Sequence, residues 1–319
     1  MTSSCQFSGR RVLVTGASGF IGSHLCRRLA GDAAEIHAVS RSAHPDDRAT
    51  VRWWEGDLAD IATVRGIFRR AKPDFVFHLA SHVMGAPTLQ HVLPTFHNNL
   101  QTTVNLLTAA AELGCRRIVL AGSLVEPPPG HTEYAPCSPY AAAKCASSAY
   151  ARMFHALYGV PAIIARVFMV YGPGQQDVSK LIPYVTLSLL QGRRPRITSG
   201  DRLVDWIYVD DVVDGLLAAA QAPRVDGSTI DLGSGKLVSI RDIVQHLTNL
   251  VDSRARPAFG AMPDRPLEPI RRADTSSTYA TIGWRPSTPL EKGLPLTVKW
   301  YQGELERFPT RWGVARAGQ

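Results

Sequence analysis

The fold is decided near the start of the chain, where residues 12–23 read VLVTGASGFIGS. An apolar run ends at Gly16, and two further glycines, Gly19 and Gly22, follow at intervals of three. In such a turn one glycine allows a sharp bend, one lets the backbone approach a pyrophosphate, and one lets the next helix pack closely on the strand. The N–H groups and the positive dipole end of that helix then face the anion. The stretch therefore predicts a strand, a turn and a helix that bind a dinucleotide.

The bulk composition is that of an ordinary globular protein. The 319 residues are 45% hydrophobic and 19% charged, which suffices for one large α/β domain or a nucleotide-binding domain plus a smaller lobe. Residues 1–10 do not read as a signal peptide and no apolar run is long enough to cross a bilayer, so we expect a cytoplasmic protein without a membrane partner. The five cysteines lack paired metal-ligand spacing, which predicts a reduced protein with no metal site.

The formal net charge of +8 raises the question of a nucleic-acid partner. The arginine pairs are scattered along the chain rather than gathered in a stripe with aromatic residues. They lie at 10–11, 27–28, 69–70, 193–194 and 271–272. We expect no nucleic-acid binding, since solvated helix faces and a site for a polyanionic small ligand explain these arginines more simply.

Apolar strand-like runs alternate with helical patterns through the first half of the chain. After the strand that begins at Val12, strands are predicted at 35–39, 52–54, 74–79, 117–121 and 162–167. Helices are predicted after the glycine turn and at 61–70, 93–113 and 138–158. This alternation predicts right-handed crossovers and an α/β fold with a doubly wound parallel (Rossmann) sheet.

From residue 171 the pattern loosens. Helices are predicted at 180–191, 210–220 and 240–251, and strands at 205–209 and 229–232. We therefore expect a dinucleotide-binding domain over 1–172 and a smaller C-terminal α/β substrate lobe over 173–319, lying over the carboxyl ends of the strands. Segments around 205–232 are candidates to return to the first sheet.

A catalytic constellation is predicted from Ser123, Tyr140 and Lys144. Tyr140 and Lys144 are four apart in a helical pattern and so share one face. A lysine ammonium there favours the tyrosinate and is expected to bring the pKa of the phenol down toward neutrality. Ser123, just past the predicted fifth strand, is placed to hydrogen-bond the oxygen on which Tyr140 acts. Alone, the tyrosine–lysine pair would be ordinary surface packing; the serine and the dinucleotide turn favour chemistry.

Short motifs run nearly from end to end of the chain. They are TGASGFIG (15–22), GDL (56–58), HLAS (78–81), Asn99, Ser123, Tyr140 with Lys144, YGPG (171–174), DWIYVDD (205–211) and GWxP (283–286). Through them the whole chain resembles the extended short-chain dehydrogenases/reductases. The resemblance is to the NAD(P)-dependent epimerase/dehydratase group, which remodels nucleotide-linked sugars.

The resemblance implies roles for individual residues. Asp57 and Leu58 would hold the adenine, Lys144 would bridge the nicotinamide ribose, and Tyr140 would be the acid/base. It also implies a homodimer formed through the helices at 93–113 and 138–158. The remaining cofactor-binding residues are expected to be Gly16, Ser18, Gly19, Phe20, Ile21, Gly22, Leu79, Ala80, Ser81 and Asn99.

The end of the second strand points to the form of the cofactor. In NAD-binding members of this fold an Asp or Glu there takes the ribose hydroxyls. This chain has Ser40 followed by Arg41. A carboxylate would repel a 2′-phosphate, whereas a hydroxyl and a guanidinium would bind one. We expect a preference for NADP(H), with NAD(H) as the alternative.

Other positions depart from the family pattern. Leu124 and Val125 stand where the related sugar 4,6-dehydratases carry an Asp–Glu pair, which argues against a dehydratase. Met169 stands where many relatives have an asparagine, and Val204 where many have an arginine that grips the diphosphate. Arg202 and Arg265 are the candidate replacements for that grip, and with Met169 they are the predicted substrate-binding residues.

Together these features predict an NADP(H)-dependent ketoreductase that acts on a nucleotide-activated keto-deoxysugar at C4. The close alternative is a nucleotide-sugar 4-epimerase with tightly bound NAD. A reductase of a different carbonyl compound is a third possibility, and an alternative of another class is a non-catalytic NADP-sensing protein.

Overall fold

The computed structural model describes residues 7–42, 50–127, 135–252, 254–264 and 268–312. The strands are β1 (Arg11–Thr15), β2 (Glu35–Ser40), β3 (Val51–Glu55), β4 (Phe75–His78), β5 (Arg117–Ser123), β6 (Ala162–Val167), β7 (Met169–Tyr171), β8 (Leu203–Tyr208), β9 (Thr229–Leu232) and β10 (Leu237–Ser239). The α-helices are α1 (Phe20–Gly31), α2 (Ile61–Ala71), α3 (Val92–Thr95), α4 (Thr102–Leu113), α5 (Pro139–Tyr158), α6 (Leu181–Leu190), α7 (Val209–Gln221), α8 (Ile240–Val251), α9 (Thr275–Ile282) and α10 (Leu290–Arg307).

Seven strands form one sheet in the order β3-β2-β1-β4-β5-β6-β9. Every pairing in it is parallel. Thr15 at the end of β1 is in register with Val39 on one side and His78 on the other, so the carboxyl ends of the central strands meet at one edge. This arrangement confirms the predicted doubly wound parallel sheet.

Contacts divide the chain into two compact units. The first unit consists of Met1–Val167, Val213–Leu232 and Ser276–Arg285, and the second of Phe168–Val212, Gly233–Thr275 and Pro286–Gln319. Strand β9 pairs with β6 in the large sheet and so lies in the first unit. The expected division of folding domains at residue 172 stays a prediction.

The first unit is held by helices whose apolar faces cover the sheet. Helix α2 shows how the sequence achieves this: Asp60 caps its first turn by accepting from the backbone N–H groups of Ala62 and Thr63, each at 3.0 Å. The helix then buries Val64, Ile67, Phe68 and Ala71, one face at helical spacing. Burial of a side chain the size of Phe68 stabilises the fold by roughly 1.5–3 kcal/mol.

The helix predicted at 93–113 is interrupted. Between α3 and α4 lies a π-helical segment, Phe96–Gln101. Side chains in and next to this segment compete with the backbone for hydrogen bonds: Asn98 Nδ2 donates to the carbonyl of Pro94 at 2.7 Å, and Thr103 Oγ1 in α4 donates to that of Asn99 at 2.7 Å. The sequence pattern therefore shows one helix where the structure has three consecutive helical segments.

The second unit contains a three-stranded sheet in the order β10-β8-β7. Its core joins this sheet to α6, α8 and α10 through residues that include Val185, Trp206, Leu247 and Leu294. Strands β7 and β10 and helices α9 and α10 are not among the predicted elements. No helix in the described part of the chain has the length and apolar character that a membrane span requires.

Candidate active site

The glycine turn after β1 has the geometry that its sequence predicts. Gly16 has a φ of +68°, and a Cβ there would lie 2.7 Å from the backbone nitrogen of Ala80. A Cβ at Gly22 would collide with the carbonyl oxygen of Gly16. Helix α1 begins at Phe20 with Gly19 as its N-cap and no side-chain cap from the described residues. The amides of the first helical turn are thus presented to a ligand anion, and the cradle fits a pyrophosphate.

The end of β2 carries no carboxylate at residues 40–42. Ser40 is half-buried, Arg41 is exposed, and Arg41 Nη1 donates to Oδ1 of Asn98 at 3.3 Å. The guanidinium is therefore held beside the end of the strand by a neutral partner rather than by an acid.

Asp57 and Leu58 follow β3. The carboxylate of Asp57 accepts from the N–H of Ala59 at 2.9 Å, while Leu58 is buried. Asp57 is exposed, so its carboxylate supports the turn and also stays accessible to a ligand.

The segment after β4 is fixed by side chains from two neighbouring elements. The N–H of Ala80 donates to Thr15 Oγ1 at 3.2 Å. The side chain of Asn99 accepts from the N–H of His82 at 2.6 Å and donates to its carbonyl oxygen at 3.2 Å. Asn99, buried in the π-helical segment, therefore positions the loop that carries Leu79, Ala80 and Ser81; a direct contact to the cofactor stays a prediction.

The three predicted catalytic residues come together in the first unit. Ser123 is the last residue of β5, and Tyr140 and Lys144 lie on the first turns of α5, whose N-terminus is capped by Ser138. Lys144 Nζ donates to the carbonyl oxygen of Ala121 at 2.8 Å and lies 5.7 Å from the centre of the Tyr140 ring. Ser123 and Lys144 are each 7% exposed.

The electrostatics of this trio differ from the expectation. Burial raises the pKa of Tyr140 to about 12; the hydroxyls of Ser123 and Ser81 lower it, and the charge of Glu126 raises it further. Burial lowers the pKa of Lys144 to about 8, against the opposing charge of Glu126. The predicted fall of the phenol pKa toward neutrality is therefore wrong for the protein alone. Loss of hydration is the largest cause of the shift, and the ammonium of Lys144 is directed at the carbonyl oxygen of Ala121.

Glu126 is a component that the sequence reasoning missed. It is 5% exposed and accepts hydrogen bonds from the backbone N–H of Ser123 and from Ser148 Oγ, both at 2.6 Å. The available signal was an acidic residue three positions beyond Ser123, within an apolar and proline-rich stretch.

The predicted substrate residues that the structure describes lie in the second unit. Met169 begins β7, is half-buried and stands in register with Trp206. Arg202, just before β8, forms an ion pair with Glu268. Val204 is buried in β8, as its apolar side chain requires. Arg265 lies outside the described residues, and its role stays a prediction. Among the described residues no cluster of His, Cys, Asp and Glu could hold a metal ion.

Comparisons with known proteins agree with this geometry. The chain is 30% identical, over 93% of its own length and 100% of the relative's, to a UDP-glucose 4-epimerase of Mycolicibacterium smegmatis. Among solved structures it matches the UDP-glucose 4-epimerase of Thermotoga maritima with UDP-glucose at a TM-score of 0.83 and 26% identity, covering 92% of this chain and 99% of that one. It matches the UDP-glucose 4-epimerase of Thermus thermophilus in complex with NAD at a TM-score of 0.78 and 26% identity, with the same coverage.

The model of the NAD dependent epimerase/dehydratase family matches residues 12–233, more than half of the chain. That match spans the glycine turn, all but the first residue of the large sheet, and the Ser123–Tyr140–Lys144 trio. The protein is therefore an enzyme of the NAD dependent epimerase/dehydratase family, within the extended short-chain dehydrogenases/reductases.

Proposed function

We propose that this enzyme transfers a hydride between a nicotinamide dinucleotide and C4 of a nucleotide-linked deoxysugar, working as a ketoreductase. The observation that carries the proposal is the meeting of the buried Ser123 and Lys144 with the half-buried Tyr140 at the carboxyl edge of the sheet that also carries the glycine turn. Such an edge is where doubly wound sheets bind their ligands.

In this proposal Tyr140 gives its phenolic proton to the carbonyl oxygen of the substrate. The raised pKa of about 12 leaves the phenol protonated at neutral pH in the free protein, so Tyr140 holds a proton that it can donate. Ser123 supplies a second hydrogen bond to the same oxygen, where negative charge develops. The ammonium of Lys144 stabilises the tyrosinate that remains. The nicotinamide, when bound, supplies the hydride.

The proposed reductant is NADPH, because Ser40 and Arg41 offer a hydroxyl and a guanidinium where a carboxylate would exclude a 2′-phosphate. NAD(H) is the alternative, and it is supported by the bound NAD of the relative from Thermus thermophilus.

The proposed substrate is a nucleotide-activated keto-deoxysugar. Its class is supported by UDP-glucose in the relative from Thermotoga maritima. Arg202 is a candidate contact for the diphosphate, although Glu268 already neutralises it. A diphosphate would have to take over that guanidinium, so we expect a grip weaker than that of an unpaired arginine.

A second candidate function is nucleotide-sugar 4-epimerisation with retained NAD. It is favoured by the relative from Mycolicibacterium smegmatis, which matches nearly end to end. A dehydratase is less well supported, because Leu124 and Val125 cannot move protons and the carboxylate of Glu126 is buried and hydrogen-bonded within the protein.

The decisive experiment supplies a nucleotide-linked 4-keto-6-deoxyhexose with NADPH and follows the loss of NADPH absorbance. We expect stoichiometric oxidation of NADPH and no interconversion of UDP-glucose and UDP-galactose. Tyr140→Phe should lower this turnover roughly 10²–10⁴-fold and leave cofactor affinity nearly unchanged. Protein that carries NAD⁺ and interconverts the two UDP-sugars without added cofactor would establish the epimerase instead.

We further propose a homodimer. Its support is a set of apolar side chains on the outer faces of α3, the π-helical segment and α5, all in the first unit. These side chains are 46–68% exposed at Leu93, Phe96, Leu157 and Tyr158.

A further inference from the structure

The carboxylate of Glu126 is buried beside the three residues of the candidate active site. It accepts from the N–H of Ser123 and from the hydroxyl of Ser148, and so ties the end of β5 to the middle of α5. Space for it exists only because residue 122 is glycine: a Cβ there would lie 2.6 Å from Glu126 Oε1. A buried carboxylate that is hydrogen-bonded in this way has a structural role in the site, unlike an acidic side chain exposed to solvent.

Positively charged side chains surround the carboxylate of Glu126. Lys144 on α5 and Arg166 on β6 both favour its ionised form, although burial raises the pKa of its carboxyl overall. Arg166 itself is committed to Asp231 on β9, with an N–O distance of 2.7 Å. The charge of Glu126 in turn favours the protonated form of Lys144. In the part of the chain that the structure describes, other titratable groups in electrostatic reach of this pair include Tyr140 and Cys145 on α5 and His78 on β4.

We propose that Glu126 is a positioning residue for the reaction: it anchors the backbone of Ser123 and supplies the negative charge that keeps the buried Lys144 protonated beside Tyr140. The inference rests on the proposed roles of Ser123, Tyr140 and Lys144. It adds a fourth residue, which acts through two of them and touches no reacting atom.

The negative charge of Glu126 should change the pKa values of Lys144 and Tyr140 in a defined direction. A buried ammonium loses its hydration, and a nearby negative charge offsets part of that cost. Removal of the charge should therefore make Lys144 lose its proton at lower pH. The same removal should let Tyr140 ionise at lower pH, since Glu126 also opposes the tyrosinate. The basic limb of the pH–rate profile should then move to lower pH, because reduction needs the proton on both groups.

The test titrates Lys144 directly, in the protein without cofactor or substrate. ¹³C-labelled lysine is followed by NMR against pH, and the Lys144 signal is assigned by its loss in Lys144→Arg. We expect Glu126→Gln to lower the titration midpoint by roughly one pH unit, the usual effect of a close opposite charge. Glu112→Gln is the matched control: it also removes one negative charge from the first unit, but from an exposed pair with Arg65 on the surface.

Kinetic measurements separate the two proposed roles of Glu126, the hydrogen bond to the N–H of Ser123 and the negative charge beside Lys144. Glu126→Gln keeps an acceptor for the N–H of Ser123, whereas Glu126→Ala removes it. We expect kcat to fall roughly tenfold further in the alanine variant, the cost of one lost hydrogen bond, with KM nearly unchanged. If the glutamine variant does not fold, Ser148→Ala replaces it. Loss of that hydroxyl leaves the carboxyl protonated at higher pH, so the Lys144 midpoint should move in the same direction by a smaller amount.

The outcomes are distinct from those of the proposed function. A Lys144 midpoint that is the same in the wild type and in a folded Glu126 or Ser148 variant would overturn the inference, whatever the substrate. Full turnover in Tyr140→Phe would overturn the proposed roles in catalysis instead. A lowered midpoint together with a basic pH–rate limb shifted to lower pH supports both.

Discussion

At the scale of single residues, the form of the cofactor depends on Arg41. Its guanidinium is exposed at the end of β2 and is held by the neutral side chain of Asn98. A charge-assisted contact to a 2′-phosphate contributes roughly 1.5–3 kcal/mol, about ten- to a hundred-fold in affinity. Arg41→Ala should therefore weaken NADPH binding by that factor and leave NADH binding nearly unchanged. Measurement is by fluorescence titration of both reduced cofactors.

The matched comparison is Asn98→Ala, which frees Arg41 without removing it. Because the 3.3 Å hydrogen bond is exposed and neutral, its loss should change NADPH affinity by far less than the loss of the guanidinium. Equal dissociation constants of the wild type for NADPH and NADH would show that the cofactor prediction is wrong.

The spacing of motifs along the chain predicted which residues would come together at the candidate active site, but it did not predict their ionisation. Tyr140 and Lys144 at i and i+4, after a serine at a strand end, indicated the trio that the structure brings together. The pKa of the phenol depends on how much protein surrounds it and on where the ammonium points, and neither is written in the spacing. Glu126 was missed because its partners, the Ser123 N–H and the Ser148 hydroxyl, reach it only through the tertiary fold.

At the scale of elements, the close packing of the glycine turn should make it sensitive to substitution. A Cβ at Gly22 would collide with the backbone of Gly16, which cannot yield as a flexible side chain could. Gly22→Ala should push α1 away from β1, with a loss of about 1–3 kcal/mol in the free energy of unfolding and at least about tenfold weaker dinucleotide binding. Calorimetry and cofactor titration measure both effects.

Gly31→Ala provides the control at the other end of α1. A Cβ there meets no atom of the described residues within 4 Å, and the position has no positive φ. Alanine should therefore leave cofactor binding unchanged and stabilise the protein by up to about 1 kcal/mol. Equal behaviour of the two variants would contradict the close packing that the turn implies.

Elements were predictable where periodicity was strong and unbroken. Helix α8 and strands β6 and β9 have the predicted bounds. Helix α10 was not predicted, because Gly293 and Pro295 interrupt its first turns and read as breakers. Strands β7 and β10 have three residues each, too few for an alternating pattern. Short strands of this kind form only because β8 offers them edges on both sides.

At the scale of the whole molecule, the proposed homodimer yields a test of the exposed apolar face. Leu157 is 68% exposed at the end of α5. Leu157→Glu places a charge on this face and should convert the dimer to a monomer, seen as a halved mass by light scattering after gel filtration. Leu250→Glu on α8, where the leucine is 38% exposed, should leave the mass unchanged. A wild-type monomer would contradict the homodimer.

The stability of the whole molecule toward acid should depend on His78. Its imidazole is buried between β1 and α4, with Nδ1 2.8 Å from Thr15 Oγ1 and Nε2 3.1 Å from Thr103 Oγ1. Burial lowers the pKa of His78 from 6.5 to about 3, and the charge of Lys144 adds to the fall. Both hydroxyls can hydrogen-bond a neutral imidazole. In mild acid, His78 is therefore protonated in the unfolded chain and neutral in the folded protein.

The sign of the effect follows from the two pKa values. Between about pH 3 and 6.5 the unfolded chain binds a proton at His78 that the folded protein does not, so stability falls as the pH is lowered through this window. The loss is about 1.4 kcal/mol per pH unit, or about 2 kcal/mol between pH 6.5 and 5. His78→Gln should remove this part of the pH dependence, measured as urea unfolding at both pH values. His246→Gln, on the exposed face of α8, controls for the loss of a histidine as such. An unchanged difference between the two pH values in His78→Gln would mean that other groups, the buried carboxyls among them, govern acid unfolding.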